Sequence, residues 1–181
     1  MGRLENAGML GSNKLDATDV AAARVLSNHD GLGIAELGTA CLVLWRSPVV
    51  TERFERQRAA LEAMVRRYPA RAGFVCVVEA NVPVPEDKFR KASIQLVSKL
   101  GAKLSCVVCV IEGSGFRAAA TRSVLSGMAL LLPNRGTNVR FAATASDAGP
   151  VLEQHCDGVS SASFTQLHQQ LSQSLSIGEL A

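Results

Sequence analysis

The sequence predicts an α/β fold: a mainly parallel sheet of about five strands with an antiparallel edge strand and helices packed on it. Three observations lead there. Four stretches repeat one unit, an apolar run of strand length, a short loop and a segment of helical period. The runs are Ala40 to Trp45, Gly73 to Val78, Leu104 to Ile111 and Val139 to Ala143. They are apolar on both faces, as strands of a parallel sheet covered on either side must be. Ahead of them, Ile34-Ala35-Glu36-Leu37 is joined to Ala40-Cys41-Leu42 by Gly38-Thr39. That link suggests a hairpin, hence an edge strand running against the others.

Residues 1–32 read as an N-terminal extension, partly flexible, with a helical candidate at Asp16 to Leu26 and the breaker Asn28-His29-Asp30-Gly31. Residues 33–157 form the α/β domain. The first helix is expected over Pro48 to Arg67, with Ser47 before proline as one cap and Thr51 as another. Its buried stripe is Phe54, Leu61, Met64, Val65 and Tyr68, and Pro69 ends it. The second runs from Pro85 to Leu100 on Phe89, Ile94, Leu96 and Val97, with Gly101 as the stop. The third, Phe116 to Leu132, is the least polar, and Gly127 would allow it close backbone approach to the sheet. Asp147 to His155 is the fourth. In residues 158–181, Phe164, Leu167, Leu171 and Leu175 recur at helical steps, a narrow apolar stripe suited to docking on the body or on a partner copy. The flexible Asp157 to Ser161 and the uncharged Gln166, Gln169, Gln170 and Gln173 tilt that choice toward a homo-oligomer.

The 181 residues suffice for one domain with a sizeable core. Lysine plus arginine number 19 against 16 aspartate plus glutamate, a net charge of +3. This argues against a nucleic-acid surface, because Arg53, Arg56, Arg58, Arg66, Arg67 and Arg71 are interleaved with Glu52, Glu55 and Glu62. Five cysteines, four of them within strand candidates, read as buried thiols of a reducing, cytoplasmic protein. Cys106 and Cys109 form a C-x-x-C, but residues three apart on a strand face opposite sides, so they cannot share a metal ion. No metal or cofactor is expected. No apolar stretch approaches the roughly 20 residues of a membrane span, and the first residues lack a basic leader with a long apolar core.

Ligands of open α/β sheets bind outside the carboxyl ends of the strands. The loops there contain Arg46 and Ser47, Glu79, then Glu112, Ser114 and Arg117, with Arg122 one turn into the third helix. Gly113-Ser114-Gly115 could present amides to an anion beside Arg117 or Arg122. It lacks the third glycine of a dinucleotide loop and the Gly-Lys-Ser/Thr of a Walker loop, so it reads as a tight turn and cap. Glu79 and Glu112 could share a cleft as acid and base, or pair with Arg46 and Arg117. No serine lies in a nucleophile elbow, and His29, His155 and His168 fall outside the strand ends, so the chain reads as non-enzymatic.

The edge hairpin followed by alternating helices and strands over Gly38 to His155 resembles the STAS fold of sulfate transporters and anti-sigma factor antagonists. The stretches most similar to bacterial STAS-like proteins are Trp45-Arg46-Ser47-Pro48 before Thr51-Glu52-Arg53-Phe54, Val77-Val78-Glu79, Arg90-Lys91-Ala92-Ser93, Gly115-Phe116-Arg117 and Thr121 to Met128. The resemblance implies a regulatory module that binds a protein partner. It departs from the family at Asn81-Val82-Pro83-Val84-Pro85-Glu86-Asp87, where a phosphorylatable serine would open the helix and none is present. The alternatives are a small-anion-binding protein or enzyme using the strand-end cleft, and a self-associating subunit.

Overall fold

The computed structural model describes residues 23–130 and 138–178. Its strands are β1 (Ala23–His29), β2 (Leu32–Leu37), β3 (Ala40–Trp45), β4 (Ala72–Val78), β5 (Leu104–Ile111) and β6 (Asn138–Ala142). Its helices are α1 (Thr51–Arg67), α2 (Asp87–Leu100), α3 (Gly115–Leu130), α4 (Ala145–His155) and α5 (Ser161–Gly178), with a 3₁₀ turn at Gly101–Lys103. The strands lie in chain order, β1-β2-β3-β4-β5-β6. β1, β2 and β3 pair antiparallel, and β3 to β6 pair parallel. The α/β, mainly parallel sheet with an antiparallel edge is therefore present, with six strands rather than about five.

The extra strand is β1, which sequence reasoning leaves in the N-terminal extension. It returns to β2 through Asp30 and Gly31, whose φ angles are 56° and 67°. Two consecutive left-handed residues are what a two-residue hairpin turn of type I′ requires. The last residues of the helical candidate Asp16 to Leu26 are thus strand, and its remainder lies outside the described residues, as do 131–137. Helix starts also differ. Val50 is the residue before α1 and no side chain caps that end, so Ser47, Pro48 and Thr51 do not serve as expected. At α4 the cap is complete: Asp147 N donates to Thr144 Oγ1, and Thr144 N donates to the Asp147 carboxylate. Gly127 is exposed with no neighbouring atom where a Cβ would stand, so it does not mediate close packing.

Two helical layers cover the sheet, as two-sided apolar strands demand. On one face Ile34, Cys41, Val43, Trp45, Phe74, Val78 and Val107 pack against Phe54, Leu61 and Met64 of α1 and Phe89 and Leu96 of α2. On the other, Leu37, Leu42, Leu44, Val75, Val77, Val108 and Val110 meet Ala148 and Leu152 of α4 and Phe164, Leu167, Leu171 and Leu175 of α5. α4 lies over β4 to β6 and α5 over β1 to β3. The α5 stripe is at most 3% exposed within this one chain. It is a structural brace, already covered, and it offers no apolar face to a second copy. Val75, Val77, Val107 and Val110 are buried as their runs require.

The cysteines divide by face. Cys106 packs with the α4 and α5 layer, its Sγ 3.8 Å from Cys156 Sγ, while Cys76 and Cys109 lie on the α1 and α2 side. Cys106 and Cys156 are buried, but Cys76 and Cys109 are not fully so, which departs from the dry core expected for all strand cysteines. The Cys106–Cys156 pair fits only because residue 73 is glycine. A Cβ there would collide with Cys156 Sγ and stand 3.3 Å from Cys106 Sγ.

Gly73→Ala should therefore lower the unfolding free energy by about 1–3 kcal/mol, the usual cost of overpacking. Adding Cys156→Ala should restore part of it, because the obstructing sulfur is gone. Denaturant unfolding of the two single variants and the double variant gives this coupling directly; strict additivity would mean that the thiol is not the obstacle.

Candidate functional site

The register of the parallel strands brings three loops to one edge. Glu79 N donates to Trp45 O at 3.0 Å, and Glu112 N donates to Val78 O at 2.9 Å. Arg46, Glu79 and Glu112 therefore leave β3, β4 and β5 side by side. The Arg46 guanidinium forks onto the Glu79 carboxylate, Nε to Oε2 at 2.8 Å and Nη2 to Oε1 at 2.7 Å. This two-pronged geometry is the strong form of an ion pair. Ser172 of α5 closes it, accepting from Arg46 Nη2 at 2.8 Å and donating to Glu79 Oε1 at 3.2 Å. With only 16% and 21% of the two charged side chains exposed, the pair is neutralised within the protein and clamps α5 to the strand ends.

Beside the clamp, His168 of α5 stacks on Phe164 with ring centroids 6.5 Å apart. Its Nε2 lies 3.6 Å from Glu112 Oε1, too far for a hydrogen bond, and has no hydrogen-bond partner although buried. Burial pushes the imidazole below its ordinary pKa of 6.5, and the nearby Glu112 and Glu79 carboxylates offset this only in part. The ring is neutral at pH 7. A small polar group could be held between Glu112 and His168. Ser172 has its hydroxyl committed to the clamp.

The remaining sequence-derived residues are placed as follows. Ser47 N donates to Gly31 O at 3.1 Å, so this residue anchors the β1–β2 turn. Ser114 is exposed in the loop between β5 and α3. Gly113 and Gly115 have φ of 99° and 82°, and a Cβ on Gly113 would stand 2.6 Å from that of Ala80 in the neighbouring loop. Arg122 Nη2 donates to Gly113 O at 2.7 Å, which ties the turn down from inside α3. Arg117 belongs to α3, but its side chain lies outside the described ones. Thus Arg46, Glu79 and Glu112 are brought together, Arg122 braces their border, and the Ser47 amide shares the Gly31 carbonyl with that of Arg46.

Ser172 and His168 are the residues that sequence reasoning missed. They follow Leu171 and Leu167 by one position each, so the apolar stripe already put them together on the flank of α5. What the sequence does not supply is the crossing direction of α5 over the strand ends.

The α1 and α2 face of the sheet holds a different concave feature, a cavity of about 130 Å³ between those helices and the strands. Its walls are almost wholly apolar. Among the described residues no group of three histidine, cysteine or acidic side chains could hold a metal ion, and no helix is long and apolar enough to cross a membrane. No family model matches the chain, and neither a curated protein nor a solved structure matches it.

The depressed histidine has a measurable consequence. In the unfolded chain His168 takes up a proton near pH 6.5, whereas in the fold it does so only at lower pH. Below about pH 6.5 the unfolded state therefore binds more protons, and stability falls as pH falls. The thermal midpoint should drop between about pH 7.5 and pH 5.5, and His168→Gln should flatten this part of the profile. An unchanged profile in the variant would exclude His168 as its source.

Proposed function

We propose that the chain is a non-enzymatic, STAS-like interaction or regulatory module whose strand-end edge receives a protein partner. The observation that carries the reading is what this edge offers to solvent. Its charged pair is satisfied internally, while Val50 and Val84, in the loops after β3 and β4, are 43% and 37% exposed. Pro48, Pro83, Gly113 and Ser114 around them are exposed too. Short, proline-stiffened loops with apolar tips around a neutralised centre suit a protein surface better than a charged metabolite. The sequential sheet with its antiparallel edge agrees with the organisation that suggested the STAS resemblance. The loop of residues 81–87 lacks serine and threonine, so regulation would not use a phosphoserine there. Five free thiols accord with a cytoplasmic setting.

A second reading, a small-ligand site or enzyme at the same edge, is favoured by one observation: the unpartnered Nε2 of His168 facing Glu112. Self-association, if it occurs, uses a surface other than the α5 stripe.

The experiment is comparative capture from native lysate with quantitative mass spectrometry. Wild type, Val50→Glu/Val84→Glu and the remote control Lys103→Glu should all fold, since exposed substitutions change stability by only about 0.5 kcal/mol. One reproducible partner is expected, lost in the first variant and kept in the control. Equal capture by all three overturns the strand-end assignment.

A further inference from the structure

The cavity between α1, α2 and the sheet has a cause that can be read from the register. Its floor is two cross-strand rows, Phe74–Val107–Val139 and Cys76–Cys109–Phe141. Two of the three positions in the second row hold cysteines, smaller in volume than the valines and aromatics around them. Above, Phe54 of α1 meets Phe89 of α2 with ring centroids 5.8 Å apart, and these rings bridge the helices over the thiols instead of letting them close down. Cores are normally packed without voids larger than a water molecule, and a space of this size left inside one is destabilising. Its roughly 130 Å³ is close to the about 150 Å³ of an apolar cavity that stays dry and admits benzene.

Besides the cysteines, the polar side chains of the wall are Gln57, Arg90 and Ser93. Trp45 Nε1 donates to Gln57 Oε1 at 2.9 Å, which assigns the other end of that amide as NH₂. Gln57 is 5% exposed, lines the cavity, and its NH₂ has no partner among the described residues. The NH₂ is not sealed off as a fully buried orphan would be, and the cavity that Gln57 lines is where an acceptor could stand. The floor itself carries no charge. Burial holds Cys76 well above its ordinary pKa and pushes Cys109 up to about 11, so both thiols stay neutral. Arg90, a cation of the lining, has its guanidinium donating to Asp87 at 2.9 Å. The lining is least covered toward β6, where Val139 is half-buried and Phe141 is 37% exposed, which gives a small molecule a way in.

We propose that this cavity is a binding site for a small, neutral, mainly apolar molecule that carries one hydrogen-bond acceptor, held by the Gln57 amide over the floor made by Cys76 and Cys109. The size fits a single aromatic ring with a short substituent. A carboxylate or a phosphate would lose its hydration over an apolar floor, and the one cation of the lining, Arg90, is already paired with Asp87. Val49, Val82 and Pro85 of the loops that carry Val50 and Val84 border the cavity, but the strand-end reading concerns the exposed tips of those loops and not the space beneath α1 and α2.

The test uses full-length protein and three probes of similar size: acetophenone, which has an acceptor, cumene, which has none, and benzoate, which is charged. Titration calorimetry and thermal shift should show acetophenone binding, cumene binding about tenfold more weakly, the factor expected for one hydrogen bond, and no benzoate binding. Gln57→Leu should erase the preference for acetophenone over cumene. Cys109→Phe, or the milder Cys109→Leu should the first fail to fold, should fill the space and abolish both while leaving the capture of a strand-end partner intact. Absence of binding by both neutral probes, binding of benzoate as tightly as acetophenone, or undiminished acetophenone binding by the filled variant would each overturn the proposal.

Discussion

The fold depends on covering the second face of the sheet, and that task rests on the last helix. β2 to β5 are apolar on both sides, so neither face can meet water. α1 and α2 cover one side as part of the strand–helix alternation, but the other side is left to α4 and α5. α5 sets Phe164, Leu167, Leu171 and Leu175 on β1 to β3 and beside α4. Each such side chain contributes roughly 1.5–3 kcal/mol of gross burial, so the four together are of the order of the whole stability of a domain, about 5–15 kcal/mol. Gly33 makes the approach possible: a Cβ there would stand 2.6 Å from Leu171 Cγ. Once the stripe is seated, Ser172 and His168 have no choice of position, and the strand-end cluster is assembled as a consequence of core packing.

Buried charge is placed under a similar constraint. Glu36, on β2, is 5% exposed, and it accepts from Arg24 at 2.9 Å and from Arg67 at 2.8 Å. Arg46 and Glu79 are matched in the same way and tied to α5. A buried carboxylate without such partners would be strongly destabilising, so these pairs fix where the polar ends of the elements can lie. The two faces differ in closure. The α4 and α5 side is tight enough to require Gly33 and Gly73, whereas the α1 and α2 side has small thiols beside an aromatic pair and keeps an open space. Room for a small molecule thus lies on the loosely filled face, while at the strand-end edge Arg46 and Glu79 are already paired with each other.

Much of this is legible in the sequence. The parallel strands β3 to β5 declare themselves because a strand buried on both sides needs an uninterrupted apolar run, and Leu104–Ile111 or Ala40–Trp45 fits nothing else in so short a length. β1 escapes because Ala23–His29 is an edge strand with mixed, half-exposed residues, and the informative signal, Asp30-Gly31 between two runs, reads equally well as a helix breaker. The opposite facing of Cys106 and Cys109 follows from strand periodicity alone. Arg46, Glu79 and Glu112 are found by their position after strands. Ser172 and His168 are not, since they arrive through a long-range crossing that local periodicity cannot specify. The cavity is equally invisible: it arises from the cross-strand register of Cys76 with Cys109 and from the Phe54–Phe89 pair, both set by tertiary packing.

α5 is thus both an integral layer of the core and the piece that completes the strand-end cluster. The most direct measurement of that dual role is thermal unfolding, followed by circular dichroism, of the chain ended at Gly158 beside the full-length protein. The shortened chain should lose its cooperative transition or melt far below the full-length protein, with Leu37, Leu42 and Leu44 left bare. A cooperative transition at nearly the full-length midpoint would contradict the integral role and make α5 an appendage.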